Sequence, residues 1–212
     1  MANSKRDGYQ KGSDRLKIAA DKNQFAGSHG ISNSKKHIQI ELDLGHELFD
    51  IPLPFGDYCE ITEEMQETID RRGSKLKKQD LVGDIKISVD SKKDLLEVCG
   101  NICSGSHSRF RDEVILAQKC GCKLYILVEE PKIKSIGDVF RWQNPRMHRY
   151  NKIKYMHGIG KWGEIKLPKK PPTSGETLAK SMITMQEKYG CEFIFCSPQD
   201  VGKKIIELLG GK

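Results

Sequence analysis

The run Leu124-Tyr125-Ile126-Leu127-Val128 restricts the fold more than any other segment of this chain. It has the length of a strand and is apolar at nearly every position, so its alternating side chains send apolar groups to both faces of a sheet. Such a sheet needs helices above and below, and the flanking sequence supplies them. Thr62 is placed to cap a helix over residues 63–72, with acids in its first turn, bases in its last and Gly73 as its stop. Residues 93–102 and 108–119 read as two more helices, the second ending before Gly121. Residues 174–189 form another, stopped by Gly190. The final helix takes Ser197 as its cap, Pro198 at its first position and Gly210 beyond its end. Strands are expected at 85–90, at 192–196 and at 37–43, where apolar and polar residues alternate. A further extended segment spans 49–61, where Pro52 and Pro54 favour an edge. Strands interleaved with helices predict an α/β fold with a mixed central sheet flanked by helices.

The 212 residues suit one substantial domain with an appendage. Residues 1–36 are polar, with eight Lys/Arg against three acids, and read as a flexible basic arm; Leu16-Lys17-Ile18-Ala19-Ala20 hints only at a helical turn. Residues 37–212 read as a single domain: a core at 37–140, a basic, aromatic-dotted segment at 141–172 and a helix–strand–helix at 173–212. No apolar run approaches the ~20 residues of a membrane span. Met1-Ala2-Asn3-Ser4-Lys5-Arg6 lacks the apolar stretch of a secretory signal, so a cytoplasmic protein is expected. The seven cysteines, including Cys99, Cys103 and Cys120-Gly121-Cys122, lack zinc-ribbon or zinc-finger spacing and read as reduced thiols.

The chemistry concentrates in Asp90-Ser91-Lys92. In a strand, residues two apart share a face, so Asp90 and Lys92 point the same way: one can hold a cation, the other can reach a water or a phosphate. A second carboxylate is needed, and Asp84 and Asp57 compete. Asp84 lies six residues back on the same expected strand, roughly 20 Å away at ~3.3 Å per residue. Asp57, on a different extended segment, can lie beside Asp90 in an antiparallel pair, where facing Cβ atoms are about 5 Å apart. Asp57, Asp90 and Lys92 are therefore the candidate catalytic residues, with Asp57 and Asp90 as candidate metal ligands.

Leu53-Pro54-Phe55-Gly56-Asp57-Tyr58 resembles the Gly-Asp-Tyr strand of the XPF-type nucleases, a branch of the PD-(D/E)XK superfamily. Val89-Asp90-Ser91-Lys92-Lys93-Asp94-Leu95 is similar to that family's Val-Glu-Arg-Lys segment and the helix start after it. Arg109-Phe110 with Glu113 resembles its next helix, and residues 124–129 its closing apolar strand. The layout also looks like small phage-encoded members of the branch. This chain departs from the pattern in carrying Asp90-Ser91 where the family has Glu-Arg. The family's upstream acid-bearing strand has its nearest candidate in Ile40-Glu41-Leu42-Asp43. The resemblance implies a restriction-endonuclease-like core, with Mg²⁺ or Mn²⁺ on Asp57 and Asp90. It also implies Lys92 acting on the attacking water, Arg109 on a phosphate, and Glu113 either completing the metal shell or holding Arg109. Glu41 is a further candidate ligand.

Residues 141–170 carry nine Lys/Arg against the single acid Glu164, with Trp142, Tyr150, Tyr155 and Trp162 interleaved. Cations alternating with aromatics can track a phosphate backbone while stacking on bases. Arg141, Trp142, Arg146, Arg149, Lys152, Lys154, Lys161 and Trp162 are the expected DNA contacts. The sequence thus predicts a metal-dependent DNA endonuclease acting on duplex or branched DNA, with room for a homodimer and residence in the cytoplasm (the host's, if phage-encoded). The alternative is a DNA-binding adaptor whose nuclease site has decayed.

Overall fold

The computed structural model describes residues 15–21, 35–104, 107–160 and 167–211. Its strands are β1 (Lys17–Ala20), β2 (Glu47–Asp50), β3 (Tyr58–Glu60), β4 (Ile87–Lys92), β5 (Lys123–Glu129) and β6 (Glu192–Cys196). They form one sheet in the order β2-β1-β3-β4-β5-β6. The pairs β1/β2, β4/β5 and β5/β6 are parallel, whereas β3 runs antiparallel to both β1 and β4. The expected mixed sheet flanked by helices is the observed architecture.

The apolar run in β5 does what its pattern requires. Leu124, Ile126 and Val128 enter a core that also holds Leu53, Phe55, Met65, Leu95, Phe110 and Met182. Leu127 enters a second core on the other face, with Ile18, Tyr58, Val89 and Ile205. The first core is covered by α1 (Glu63–Arg72), α2 (Leu95–Cys103), α3 (His107–Lys119) and α6 (Gly175–Tyr189); the second lies under α7 (Val201–Leu208). Two helices, the four-residue α4 (Ile136–Val139) and the 13-residue α5 (Arg146–Gly158), lie between β5 and α6 in the sequence. Thr62 caps α1 by accepting the Met65 N–H, and Asp94 caps α2 by accepting that of Glu97, two residues after β4 ends.

Four expectations are corrected. Residues 15–21 are not part of a flexible arm, because β1 sits inside the sheet between β2 and β3 with Ile18, Ala19 and Ala20 fully buried. Its small, short run lacks a strand signature of its own, and pairing on both sides imposes the conformation. The rest of the expected arm, apart from Lys35 and Lys36, lies outside the described residues.

Residues 37–43 are helical rather than extended, ending in a π-helical turn at Gln39–Asp43 that buries Ile40. The segment 49–61 splits between β2 and β3, which are separated in the sheet by β1. The final helix begins at Val201, later than expected, because Ser197 spends its hydroxyl on Gln199 and Asp200 in a preceding turn.

Candidate active site

The β3–β4 ladder runs only as far as Tyr58 opposite Val89 and Cys59 opposite Ser88. Just before it, Gly56 turns the chain with φ +67°, and a Cβ there would lie 2.1 Å from Ser88 Oγ, so the position requires glycine. The turn leaves the Asp57 N–H on the Val89 carbonyl at 2.8 Å. Asp57 Oδ2 then accepts the Ser91 N–H at 2.8 Å and the Ser91 hydroxyl at 3.0 Å.

On β4, Asp90 and Lys92 share a face as their spacing requires, and Lys92 Nζ meets Asp90 Oδ1 at 2.5 Å. The ammonium also stands 5.5 Å from the centre of the Phe110 ring. From α3, Glu113 Oε1 accepts the Gly56 N–H at 2.9 Å, tying that helix to the turn that carries Asp57. Asp57, Asp90, Lys92 and Glu113, scattered over 57 residues of sequence, thus converge where β3 meets β4.

The electrostatics are those of a crowded acidic site. Asp90 is 3% exposed, and burial pushes its carboxyl well above the ordinary range. The Lys92 ammonium pulls against that shift, while Asp57 and Glu113 reinforce it. Burial works against the charge on Lys92 too, but Asp90 and Asp57 outweigh it and hold the ammonium above its usual range. A desolvated acid held beside a specific cation makes Asp90 a candidate for a functional group.

Among the described residues, no three His, Cys, Asp or Glu side chains form a ready-made metal cage. Mg²⁺ does not need one, since it is commonly held by one or two carboxylates and keeps several waters. The donor set fits such an ion: Asp90 Oδ2 is buried and has no hydrogen-bond partner among the described residues. Asp57 and Glu113 bring carboxylate charge near enough to shift Asp90.

The remaining candidates separate. Arg109 is exposed on α3, one turn before Glu113. Glu41 is not gathered into the site: it is exposed on the Gln39–Asp43 turn, because the helical twist there turns Ile40 inward instead. Arg141, Arg146, Arg149, Lys152 and Lys154 are exposed, the last four on α5, of which only Ile153 is buried. Trp142 is half-buried and packs against the main core. Lys161 and Trp162 lie outside the described residues.

Asp21 borders the site without a strong signal in the sequence. It follows β1, is 5% exposed, and donates its N–H to the Asp57 carbonyl at 2.9 Å. Its Oδ1 accepts from the Leu53 N–H and from Lys78 Nζ. The one available signal was an acid closing the short apolar run Ile18-Ala19-Ala20.

No protein-family model matches this chain, and no curated protein matches it. Among solved structures it is similar to XPF from Aeropyrum pernix, at 15% identity and a TM-score of 0.48, covering 91% of this chain and 63% of that one. It is also similar to a point mutant of Rv3272 from Mycobacterium tuberculosis, at 10% identity and a TM-score of 0.20, covering 77% of this chain and 40% of that one. The chain therefore spans less than two thirds of either protein. Neither overlap is close enough to assign chemistry to residues.

Proposed function

We propose that this protein is a divalent-metal-dependent endonuclease that hydrolyses phosphodiester bonds in DNA, with branched or junction DNA the first substrates to test. One observation carries the reading: buried Asp90, with an oxygen that no described residue partners, is paired to Lys92 on its own strand and flanked by Asp57 from the neighbouring turn. Asp57 and Asp90 would hold Mg²⁺ or Mn²⁺, with Glu113 alongside. When bound, the ion activates water and offsets charge developing at phosphorus.

The chain's own residues do the rest. Lys92 keeps its charge and stabilises a negative phosphoryl oxygen. Ser91 fixes the Asp57 carboxylate, and Glu113 anchors the Gly56 turn that presents it. Arg109 extends the cationic surface from α3. The helix α5, which has Arg and Lys side chains and no acid between Arg146 and Gly158, provides an exposed track for a phosphate backbone.

A second reading, a DNA-binding adaptor, is favoured by one observation: the Asp57 and Asp90 carboxylates already have protein partners in Ser91 and Lys92. A nicking assay on supercoiled, flap and four-way DNA separates the two. The nuclease cuts with Mg²⁺ or Mn²⁺ and stops on EDTA, and Asp57→Ala or Asp90→Ala falls to background while DNA binding persists. Salt-sensitive binding without metal-dependent turnover establishes the adaptor, and cutting that survives both substitutions removes this site from consideration.

A further inference from the structure

Val89 and Ser91 lie on the face of β4 opposite Asp90 and Lys92, the face that packs on Tyr58, Leu127 and Ile40. A buried polar chain occupies this face beneath the candidate site. Lys36, 4% exposed, forms an ion pair with buried Glu129 at the end of β5. The same Nζ reaches Ser91 Oγ at 3.2 Å, across 55 residues of sequence. Next in the chain, His37 Nε2 stands 3.3 Å from Tyr58 Oη. Gln39 Oε1 accepts the Gly202 N–H, which straps this helical segment to α7.

Hydrogen-bond direction makes the chain informative. An ammonium has only donors, so Ser91 Oγ must accept from Lys36, and the single hydroxyl proton is left for Asp57 Oδ2 at 3.0 Å. A hydroxyl polarised by a cation on one side is a stronger donor on the other. Ser91 is also small enough to admit the lysine.

We propose that Lys36 is a positioning residue for the metal site: through the Ser91 hydroxyl it orients the Asp57 carboxylate for a divalent cation, while Glu129 balances its charge. The proposal rests on the metal-site reading above and goes beyond it by assigning a working role to residues outside the acidic cluster.

Mn²⁺ binding to the full chain, measured by titration calorimetry beside thermal melting, tests it. Lys36→Met together with Glu129→Gln removes both buried charges, so neither is left unpaired. The double variant is expected to melt near wild type and to bind Mn²⁺ about 10–100-fold more weakly, the usual loss when an outer-shell partner of a metal ligand is removed. Ser91→Ala should show a loss of the same order, and the triple variant no further loss beyond Ser91→Ala, because all break one chain. Wild-type Mn²⁺ affinity in the double variant, or losses that multiply in the triple, overturn the proposal. Should the double variant not fold, unchanged affinity in Ser91→Ala, which keeps the Lys36–Glu129 pair, overturns it equally. Wild-type protein that takes up no Mn²⁺ overturns the metal-site reading and this inference with it; a wild type that binds with unaffected variants overturns the inference alone.

Discussion

Asp57 accepts both the backbone N–H and the hydroxyl of Ser91, at 2.8 and 3.0 Å. An acid 34 residues away is thereby fastened to the residue that separates Asp90 from Lys92. The carboxylate cannot drift without breaking two hydrogen bonds, one of them to the main chain of a central strand. Preorganisation of this kind is what an electrostatic site needs before substrate arrives.

In the proposed nuclease, Lys92 supplies positive charge to the reacting phosphate. Lys92→Ala should lower single-turnover nicking by about 10²–10³-fold, the scale for losing one preorganised charge-stabilising donor. Mn²⁺ binding should persist. Unaltered cleavage would assign Lys92 to the fold alone.

Asp90 sets a pH dependence of stability in the metal-free protein. Burial, against the pull of Lys92, pushes its carboxyl from 3.8 to about 8, so the fold prefers the protonated acid. Its stabilising contribution is complete below pH ~4 and is lost as pH rises through about 8. Asp90→Asn cannot ionise but leaves Lys92 without its counter-ion, so the variant should lose this pH dependence rather than gain stability outright. The wild-type melting temperature should fall relative to that of the variant between pH 5 and pH 9, by about 2–4 °C for each kcal/mol lost. An equal pH profile in both proteins would contradict the account.

Gly56→Ala joins a left-handed backbone to a Cβ placed against Ser88. Together these should cost about 2–4 kcal/mol, lowering the melting temperature by on the order of 10 °C. Because Gly56 also anchors Glu113 and precedes Asp57, activity should fall more than stability alone explains. Melting and nicking measured at a temperature where the variant stays folded distinguish the two effects.

The exposed cations of α5 should set the salt dependence of DNA binding. If about six charges of the basic segment meet phosphates, log affinity should fall with log salt at a slope near −5. Arg149→Gln with Lys152→Gln should reduce that slope by about 2. A slope unchanged in the double variant would place the DNA elsewhere.

Local signals were strong enough to read most of the frame. Thr62 and Gly73 bracket α1 as capping chemistry dictates, and β5 is buried on both faces because its apolar residues leave no polar side. The pairing of Asp90 with Lys92 also follows from strand geometry alone. In β1, Ile18-Ala19-Ala20 is too short and small to signal a strand, and only its two neighbours make it one. Asp21, which follows β1, shares its lack of local signal, and Glu41 is left exposed by the helical turn that buries Ile40.

The amino-acid order by itself determined the α/β layering, the placement of Asp90 and Lys92 on one face and the cationic character of residues 141–170, because these depend on periodicity, capping and charge over a few residues. Tertiary structure alone decided that Asp57 reaches Ser91, that Glu113 reaches Gly56 and that Lys36 lies buried beneath them. Those contacts join segments from 34 to 57 residues apart, and no local pattern encodes which distant groups a folded sheet will bring into register.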